Sequence, residues 1–157
     1  GRMETFTAKN RATAVVDYAH TPDALENALL ACKQHCEGEL WVVFGCGGDR
    51  DTGKRPQMGR IAERIATHVI VTNDNPRNEN PENIAQDILK GCQHPSKIKV
   101  LLNRQKAVIQ ALSAAQNKDV VLFAGKGHET SITIGDEVLS YDERALVQKT
   151  YQTERLS

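Results

Sequence analysis

The chain has 157 residues, of which 39% are hydrophobic and 25% charged, as expected for one soluble globular domain with a proper core. Its 20 basic residues equal its 20 acidic residues, so we expect no strongly basic surface and no nucleic-acid partner. No apolar run approaches the ~20 residues needed to span a bilayer. The first residues lack the apolar segment of a signal peptide, so we expect a cytoplasmic protein without a membrane partner.

Strand-like apolar runs alternate with helical periodicity along the whole chain. Strands are predicted at 13–16, 40–44, 68–72, 97–102 and 119–124. Helices are predicted at 22–36, 56–66, 81–92, 104–116 and 142–151. Two more strands, 131–134 and 137–139, flank Gly135-Asp136 and predict a hairpin. The alternation predicts an α/β fold for residues 1–157, a single domain with a doubly wound, mainly parallel, Rossmann-like sheet of about six strands and helices on both faces.

The cysteines and histidines do not form a recognised metal-binding pattern. The four cysteines are Cys32, Cys36, Cys46 and Cys92, and five histidines are scattered along the chain. A zinc site needs four ligands at suitable spacing, which this arrangement does not supply. We therefore predict free cytoplasmic thiols and no metal ligands in this domain.

The segment Asp74-Asn75-Pro76-Arg77 directly follows the apolar run 69–71. A carboxylate, an amide, a rigid turn and a guanidinium at one sheet edge suit a small zwitterion, such as an amino acid with a second charged end. The segment also fits a simple turn, because Asp and Asn-Pro both favour turns. The residues alone leave both interpretations open.

Two further polar loops follow predicted strands, at 45–55 and at 125–129. In the first, Arg50 stands where the third glycine of a G-x-G-x-x-G fingerprint should be, which disfavours an NAD-dependent oxidoreductase. The many charges of this loop suggest a ligand, and a solvated loop with local ion pairs is the alternative. The second loop is too short for a phosphate-binding P-loop, and no such motif occurs in the chain, so an independent nucleotide hydrolase is not expected.

A fourth polar segment, Asp17 to Pro22, follows the first predicted strand. Thr21 and Pro22 are explained as the start of a helix. Asp17 is suited to accept hydrogen bonds from ribose hydroxyls, as acids do in other α/β nucleotide sites. A lone histidine such as His20 is more often structural than catalytic. Because ligands of such sheets lie beyond the carboxyl ends of the strands, where all four segments lie, we expect the loops at 45–55, 74–77 and 125–129 to border one crevice.

Taken together, these segments resemble the C-terminal domain of the Mur ligases, the muramyl peptide ligases of bacterial cell-wall synthesis. The resemblance covers essentially the whole chain and is carried by motifs in the right order, at 17–22, 44–51, 54–56, 72–77 and 124–129. The Asp-Asn-Pro-Arg form is similar to that of the members that add meso-diaminopimelate to UDP-N-acetylmuramoyl-L-alanyl-D-glutamate. Lysine-adding relatives have a different residue where Arg77 stands.

The resemblance implies a three-domain enzyme of which this chain is the third domain alone. An N-terminal domain would bind the UDP-sugar, and a central domain would hold ATP and Mg²⁺. ATP would phosphorylate the D-glutamate carboxylate, and the amine of diaminopimelate would attack the acyl phosphate. The isolated domain is expected to be inactive. The alternative is a stand-alone, non-catalytic module that binds an amino acid or a nucleotide.

The resemblance also assigns roles to residues, none of them catalytic. The diaminopimelate pocket maps onto Arg50, Asp74, Asn75, Arg77, Gly125 and Glu129, with Arg77 on the distal carboxylate. The ATP contacts map onto Arg2 and Asp17, with Tyr18 and His20 nearby. Lys126 and His128 receive no role.

Overall fold

The computed structural model describes residues 3–156 and contains one six-stranded sheet and a separate hairpin among them. The strands are β1 Glu4–Phe6, β2 Thr13–Asp17, β3 Leu40–Phe44, β4 His68–Val71, β5 Lys99–Val100, β6 Val120–Ala124, β7 Ser131–Ile134 and β8 Glu137–Ser140. The helices are α1 Pro22–Gln34, α2 Lys54–Ile65, α3 Pro81–Leu89, α4 Arg104–Ala114 and α5 Glu143–Leu156. None of the described helices is apolar over a length that could cross a membrane.

The sheet order is β1-β2-β6-β3-β4-β5, in which β2, β6, β3, β4 and β5 are parallel and β1 is antiparallel to β2. Helices cover both faces. Side chains of α1, α2 and α3 pack on one face of the sheet, and those of α4 and α5 pack on the other. Along β3 the side chains alternate between the two cores, with Val42 and Phe44 in one and Val43 in the other. The predicted doubly wound α/β fold is therefore confirmed.

Three helices begin where side chains cap them. Thr21 Oγ1 accepts a hydrogen bond from the Ala24 N–H at the start of α1, and Pro22 occupies the first helical position. Asn80 and Asn103 cap α3 and α4 in the same way. The caps therefore fix the residues at which α1, α3 and α4 begin.

The element bounds differ from the predicted ones in several places. The sequence analysis missed β1, because a three-residue edge strand is too short to show a pattern. It made β5 too long, because Pro95–Lys97 forms a 3₁₀ turn and only two residues pair with β4. α2 begins at Lys54, whereas it was predicted to begin at Pro56. A proline is tolerated in the first turn of a helix, because the N–H that it lacks would have no partner within the helix. α3 ends at Leu89 rather than at residue 92.

Candidate functional site

The four polar segments meet at the carboxyl edge of the sheet. The parallel strands β2, β6, β3 and β4 lie side by side in that order, so the loops that follow them are neighbours. The Gly125 N–H donates to the Asp17 carbonyl at 3.0 Å, and the Gly48 N–H donates to the Asn75 carbonyl at 2.8 Å. The loops are therefore tied to each other directly.

Glycines in the loop after β3 allow this close packing. A Cβ on Gly48 would lie 1.8 Å from the Pro76 carbonyl oxygen, and one on Gly45 would lie 2.1 Å from that of Thr72. Both distances are far inside any allowed contact, so a side chain at either position would force the two loops apart. The absence of side chains at Gly45 and Gly48 therefore allows the loop after β3 to pack against the loop after β4.

Arg77 is held in place by backbone groups. Its φ of +53° is unusual for a residue with a side chain, and its N–H donates to the Thr133 carbonyl at 3.0 Å. The guanidinium Nη1 donates to the Gly48 carbonyl at 2.9 Å. Among the described residues, Nε and Nη2 of Arg77 have no hydrogen-bond partner. A half-buried guanidinium with one nitrogen anchored and two unengaged can receive a carboxylate side-on.

Lys126, to which the sequence analysis gave no role, lies at the centre of the site and is fully buried. Its Nζ donates to Asn75 Oδ1 at 2.8 Å and to the Ser131 carbonyl at 2.9 Å, and lies 3.4 Å from Glu129 Oε1. Asp74 Oδ1 lies 3.1 Å from the same nitrogen as an ion pair, although its angle does not make a hydrogen bond. One ammonium group thus contacts three of the predicted pocket residues.

The remaining predicted pocket residues also lie at this edge. The Cβ position of Gly125, whose φ is +115°, is 3.5 Å from Asp74 Oδ2. The Cβ position of Gly47 is 2.9 Å from Nη1 of Arg77 and 3.5 Å from Cγ of Arg50. Arg50 is exposed, and its Nη1 donates to the neighbouring Asp49 carbonyl. The structure therefore brings all six predicted pocket residues to one side of the molecule.

A buried arginine, Arg55, supports two of these loops from below. Its Nη2 donates to the Gly47 carbonyl at 2.9 Å, and both terminal nitrogens contact the Glu79 carboxylate at 2.5 and 2.9 Å. Glu79 in turn accepts from the Asp49 N–H at 3.0 Å. The hydrogen bonds from Arg55, and then that from Asp49, lower the pKa of Glu79 to about 2. The carboxylate therefore stays charged and keeps the loops joined at neutral pH.

A second buried arginine, Arg104, supports the strand ends. Its Nη1 donates to the Asn73 carbonyl at 2.8 Å and its Nη2 to the Ala124 carbonyl at 2.9 Å. Its other contacts are to the fully buried Glu143 carboxylate, at 2.7 and 3.1 Å. Burial alone would lower the pKa of Arg104, but the ion pair with Glu143 outweighs it and raises that pKa. Burial also raises the pKa of Tyr141, whose hydroxyl donates to Glu143.

The predicted nucleotide residues border a separate cavity of about 340 Å³. Asp17, Tyr18 and His20 line it, together with Met3 and Asn27. Asp17 is buried, and its Oδ2 accepts from the Ala19 N–H at 2.9 Å, so part of this carboxylate stabilises its own turn. The rings of Tyr18 and His20 lie 4.6 Å apart at the rim.

The prediction for Arg2 lies outside the described residues. Among residues 3–156, no three His, Cys, Asp or Glu side chains are grouped so that they could hold a metal ion. The sequence analysis also missed the supporting roles of Arg55, Glu79 and Arg104. The density of charge at 49–55 was the one available signal for Arg55, whereas nothing in the sequence distinguishes Arg104.

A family model and a solved structure both relate this chain to the same group of enzymes. A model of the family "Mur ligase, glutamate ligase domain" matches residues 1–127. The structure of a UDP-N-acetylmuramoyl-L-alanyl-D-glutamate–2,6-diaminopimelate ligase is 40% identical, with a TM-score of 0.92, over 99% of this chain and 32% of that one. The chain therefore spans about a third of the length of that ligase.

More distant matches show the same fold. A domain of a putative UDP-N-acetylmuramate:L-alanyl-γ-D-glutamyl-meso-diaminopimelate ligase from Haemophilus ducreyi is 14% identical, with a TM-score of 0.59, over 97% of this chain and 98% of that one. Mycobacterium tuberculosis folylpolyglutamate synthase, in complexes with ADP and AMPPCP, is 19% identical, with a TM-score of 0.58, over 80% of this chain and 29% of that one. The chain belongs to the Mur ligase family and is its C-terminal, glutamate ligase domain.

Proposed function

We propose that this chain is the amino-acid-binding third domain of a three-domain ligase that adds meso-diaminopimelate to UDP-N-acetylmuramoyl-L-alanyl-D-glutamate. The reaction consumes ATP and proceeds through an acyl phosphate, so the proposal also puts the protein in the cytoplasm. The observation that carries the proposal is the unengaged edge of the Arg77 guanidinium, whose Nη1 is anchored to the Gly48 carbonyl while Nε and Nη2 have no hydrogen-bond partner among the described residues. The 40% identity to a diaminopimelate ligase over 99% of the chain supports the same proposed function.

The chemistry of the edge suits the distal end of diaminopimelate, which carries one carboxylate and one ammonium. Nε and Nη2 of Arg77 would receive the carboxylate in a planar, two-pronged contact that an ammonium cannot reproduce. The carboxylates of Asp74 and Glu129 would receive the ammonium, and Arg50 would meet a carboxylate at the exposed rim. Gly125 leaves the space beside Asp74 open.

Lysine lacks the distal carboxylate, and this one difference sets the expected selectivity. A hydrogen bond between charged groups contributes about 1.5–3 kcal/mol net. Lysine would in addition leave Arg77 desolvated and unpaired, which adds a cost of similar size. Both effects favour diaminopimelate, so discrimination of roughly 10³-fold is expected, in line with other sites built around a polar group.

The cavity beside Asp17, Tyr18 and His20 would take part of the ATP molecule when the domain closes over the central domain. The ATP supplies the phosphoryl group that activates the substrate carboxylate, and the central domain would hold its phosphates and the Mg²⁺. Asp17 Oδ1 is the carboxylate oxygen suited to ribose hydroxyls, because Oδ2 is engaged by Ala19. This domain would then orient the amine and exclude water while the activated carboxylate reacts.

The test compares Arg77→Ala with an Arg60→Ala control in the full-length ligase that carries this domain. Arg60 is an exposed arginine on α2 and has the same charge. We expect Arg77→Ala to lower kcat/KM for meso-diaminopimelate by about 10²-fold and to bring the preference over L-lysine below about tenfold. The Arg60 variant should match the wild type. Unchanged selectivity in Arg77→Ala would refute the proposed role.

The alternative of a stand-alone binding module has its own test. The native gene product can be sized by mass spectrometry from the source cells. A product of no more than the 157 residues would favour the module, because nothing in this chain forms a phosphate-binding P-loop. A product about three times as long is expected from the proposed ligase.

A further inference from the structure

Lys126 is the one fully buried lysine among the described residues, and the proposed reaction leaves it without a role. A buried ammonium is costly unless every proton has an acceptor. Here the acceptors come from three places: the loop after β4, the loop of Lys126 itself and the first residue of β7. This placement makes Lys126 the junction between the segments that border the amino-acid pocket.

The contacts of Lys126 fix the orientation of the Asn75 side chain. Asn75 Oδ1 accepts from Lys126 Nζ at 2.8 Å and from the Thr133 N–H at 3.0 Å, which uses both of its lone pairs. The oxygen is therefore locked towards the protein. Among the described residues, the Asn75 amide nitrogen has no partner, so its two protons are available to a ligand.

The same ammonium sets the charge of the pocket. Asp74 Oδ1 lies 3.1 Å and Glu129 Oε1 lies 3.4 Å from Nζ, so each carboxylate has one oxygen towards Lys126. Their second oxygens have no hydrogen-bond partner among the described residues. Without Lys126 the two carboxylates would repel each other and draw in a cation from solvent, which would compete with the ammonium of the substrate.

We infer that Lys126 is a positioning residue for amino-acid recognition, which holds the Asn75 amide as a donor and keeps Asp74 and Glu129 in place as acceptors. This inference rests on the proposed function of the pocket. Lys126 does not touch the substrate in this arrangement, because all its protons are taken by the protein. Its removal is expected to weaken amino-acid binding.

The first test is a titration of the ¹⁵N-labelled full-length ligase that carries this domain with meso-diaminopimelate, followed by NMR. The Lys126→Met variant keeps the length of the side chain and removes the charge, and Lys106→Met is the control on the exposed face of α4. We expect a Kd about ten- to one-hundred-fold weaker for Lys126→Met and an unchanged Kd for Lys106→Met. Equal Kd values for all three proteins would overturn the inference.

A second readout separates this inference from the proposed function. In the ligand-free protein, the Asn75 side-chain NH₂ signals should lie away from the chemical shifts of a free asparagine side chain in the wild type, and move towards them in Lys126→Met. If they do, but the full-length wild-type ligase does not bind meso-diaminopimelate, the proposed function fails while the orientation of Asn75 by Lys126 stands. If the Asn75 signals are identical in the two proteins, the positioning role fails even where diaminopimelate binds.

A third measurement needs no variant, in case Lys126→Met does not fold. The protons of a buried, fully paired ammonium exchange slowly, so the Lys126 Nζ signal should be observable and assignable through its own side chain. We expect this signal to shift on saturation with meso-diaminopimelate and to stay in place with L-lysine at the same concentration. A Lys126 Nζ signal that is absent, or that does not respond to bound diaminopimelate, contradicts the inference.

Discussion

Replacement of Arg104 by methionine is the sharpest test of how the carboxyl edge is held together. The side chains of Arg104 and Glu143 are both fully buried, and two of the guanidinium nitrogens contact the carboxylate at 2.7 and 3.1 Å. The variant leaves Glu143 as a buried charge without its cation, and leaves the carbonyls of Asn73 and Ala124 without these donors. The variant therefore loses a favourable charge interaction as well as hydrogen bonds.

The expected loss in the free energy of unfolding can be estimated from these contacts. Breaking a buried ion pair by removing one partner costs about 3–5 kcal/mol. The stranded Ala124 carbonyl adds about 1–3 kcal/mol, whereas water can reach the half-buried Asn73. The total loss, about 4–8 kcal/mol, is comparable with the whole stability of an ordinary domain. We therefore expect Arg104→Met to be barely folded at 25 °C.

Urea unfolding followed by circular dichroism measures the loss, and a second variant identifies its cause. Arg104→Met/Glu143→Gln removes the stranded charge and keeps an acceptor for the Tyr141 hydroxyl, which lies 2.8 Å from Glu143 Oε1. We expect the double variant to recover about 2 kcal/mol or more. The reasoning is refuted if Arg104→Met loses under about 1 kcal/mol, or if the double variant is no more stable than the single one.

Three further predictions concern the loops and the core. Because the pKa of Glu79 is lowered to about 2, its pairing with Arg55 stabilises the fold fully above about pH 4.5 and fades as the pH falls towards 2; Glu79→Gln should flatten that part of the stability–pH curve in urea titrations. Gly48→Ala would bring a methyl group to 1.8 Å from the Pro76 carbonyl, so a loss of about 2 kcal/mol or more is expected in thermal unfolding. Burial raises the pKa of Cys46 to about 12, so peptide mapping should find it unmodified after iodoacetamide treatment of the native protein at pH 8.

The order of strands and helices could be predicted because each element carries its own signal. The continuous apolar runs of β3 and β6 are typical of strands covered on both faces, and Thr21-Pro22 and Asn80-Pro81 mark helix starts. That the polar loops share one edge of the sheet could be predicted from the parallel arrangement of the strands alone. β1 could not be predicted, because its three residues pair at the sheet edge and show no pattern of their own.

The support of the site was beyond prediction from the sequence. A lysine between two glycines, such as Lys126, looks like a solvated loop residue until the fold buries it under the β7–β8 hairpin. The charges of the loop after β3 suggested a ligand, whereas nothing in the sequence showed that the nearest atoms to its Gly45 and Gly48 would be backbone atoms of the loop after β4. Both facts depend on how two loops pack, which no local pattern encodes.

The buried cations explain how the carboxyl edge of the sheet can be rigid and still be suited to bind a ligand. Where parallel strands end, their last carbonyls lose the partners of the sheet and need other donors. Arg104 supplies them to Asn73 and Ala124, whereas Arg55 and Lys126 donate in the same way to carbonyls of neighbouring segments, at Gly47 and Ser131.

Each of those three cations also pairs with a carboxylate of the protein, at Glu143, Glu79 and Asp74 respectively. Arg77 follows the first half of the pattern, since it donates to the Gly48 carbonyl, but among the described residues it has no carboxylate partner. In the proposed function, this guanidinium, built into the same network yet lacking the acid that the others have, is the position at which a ligand carboxylate would complete the pattern.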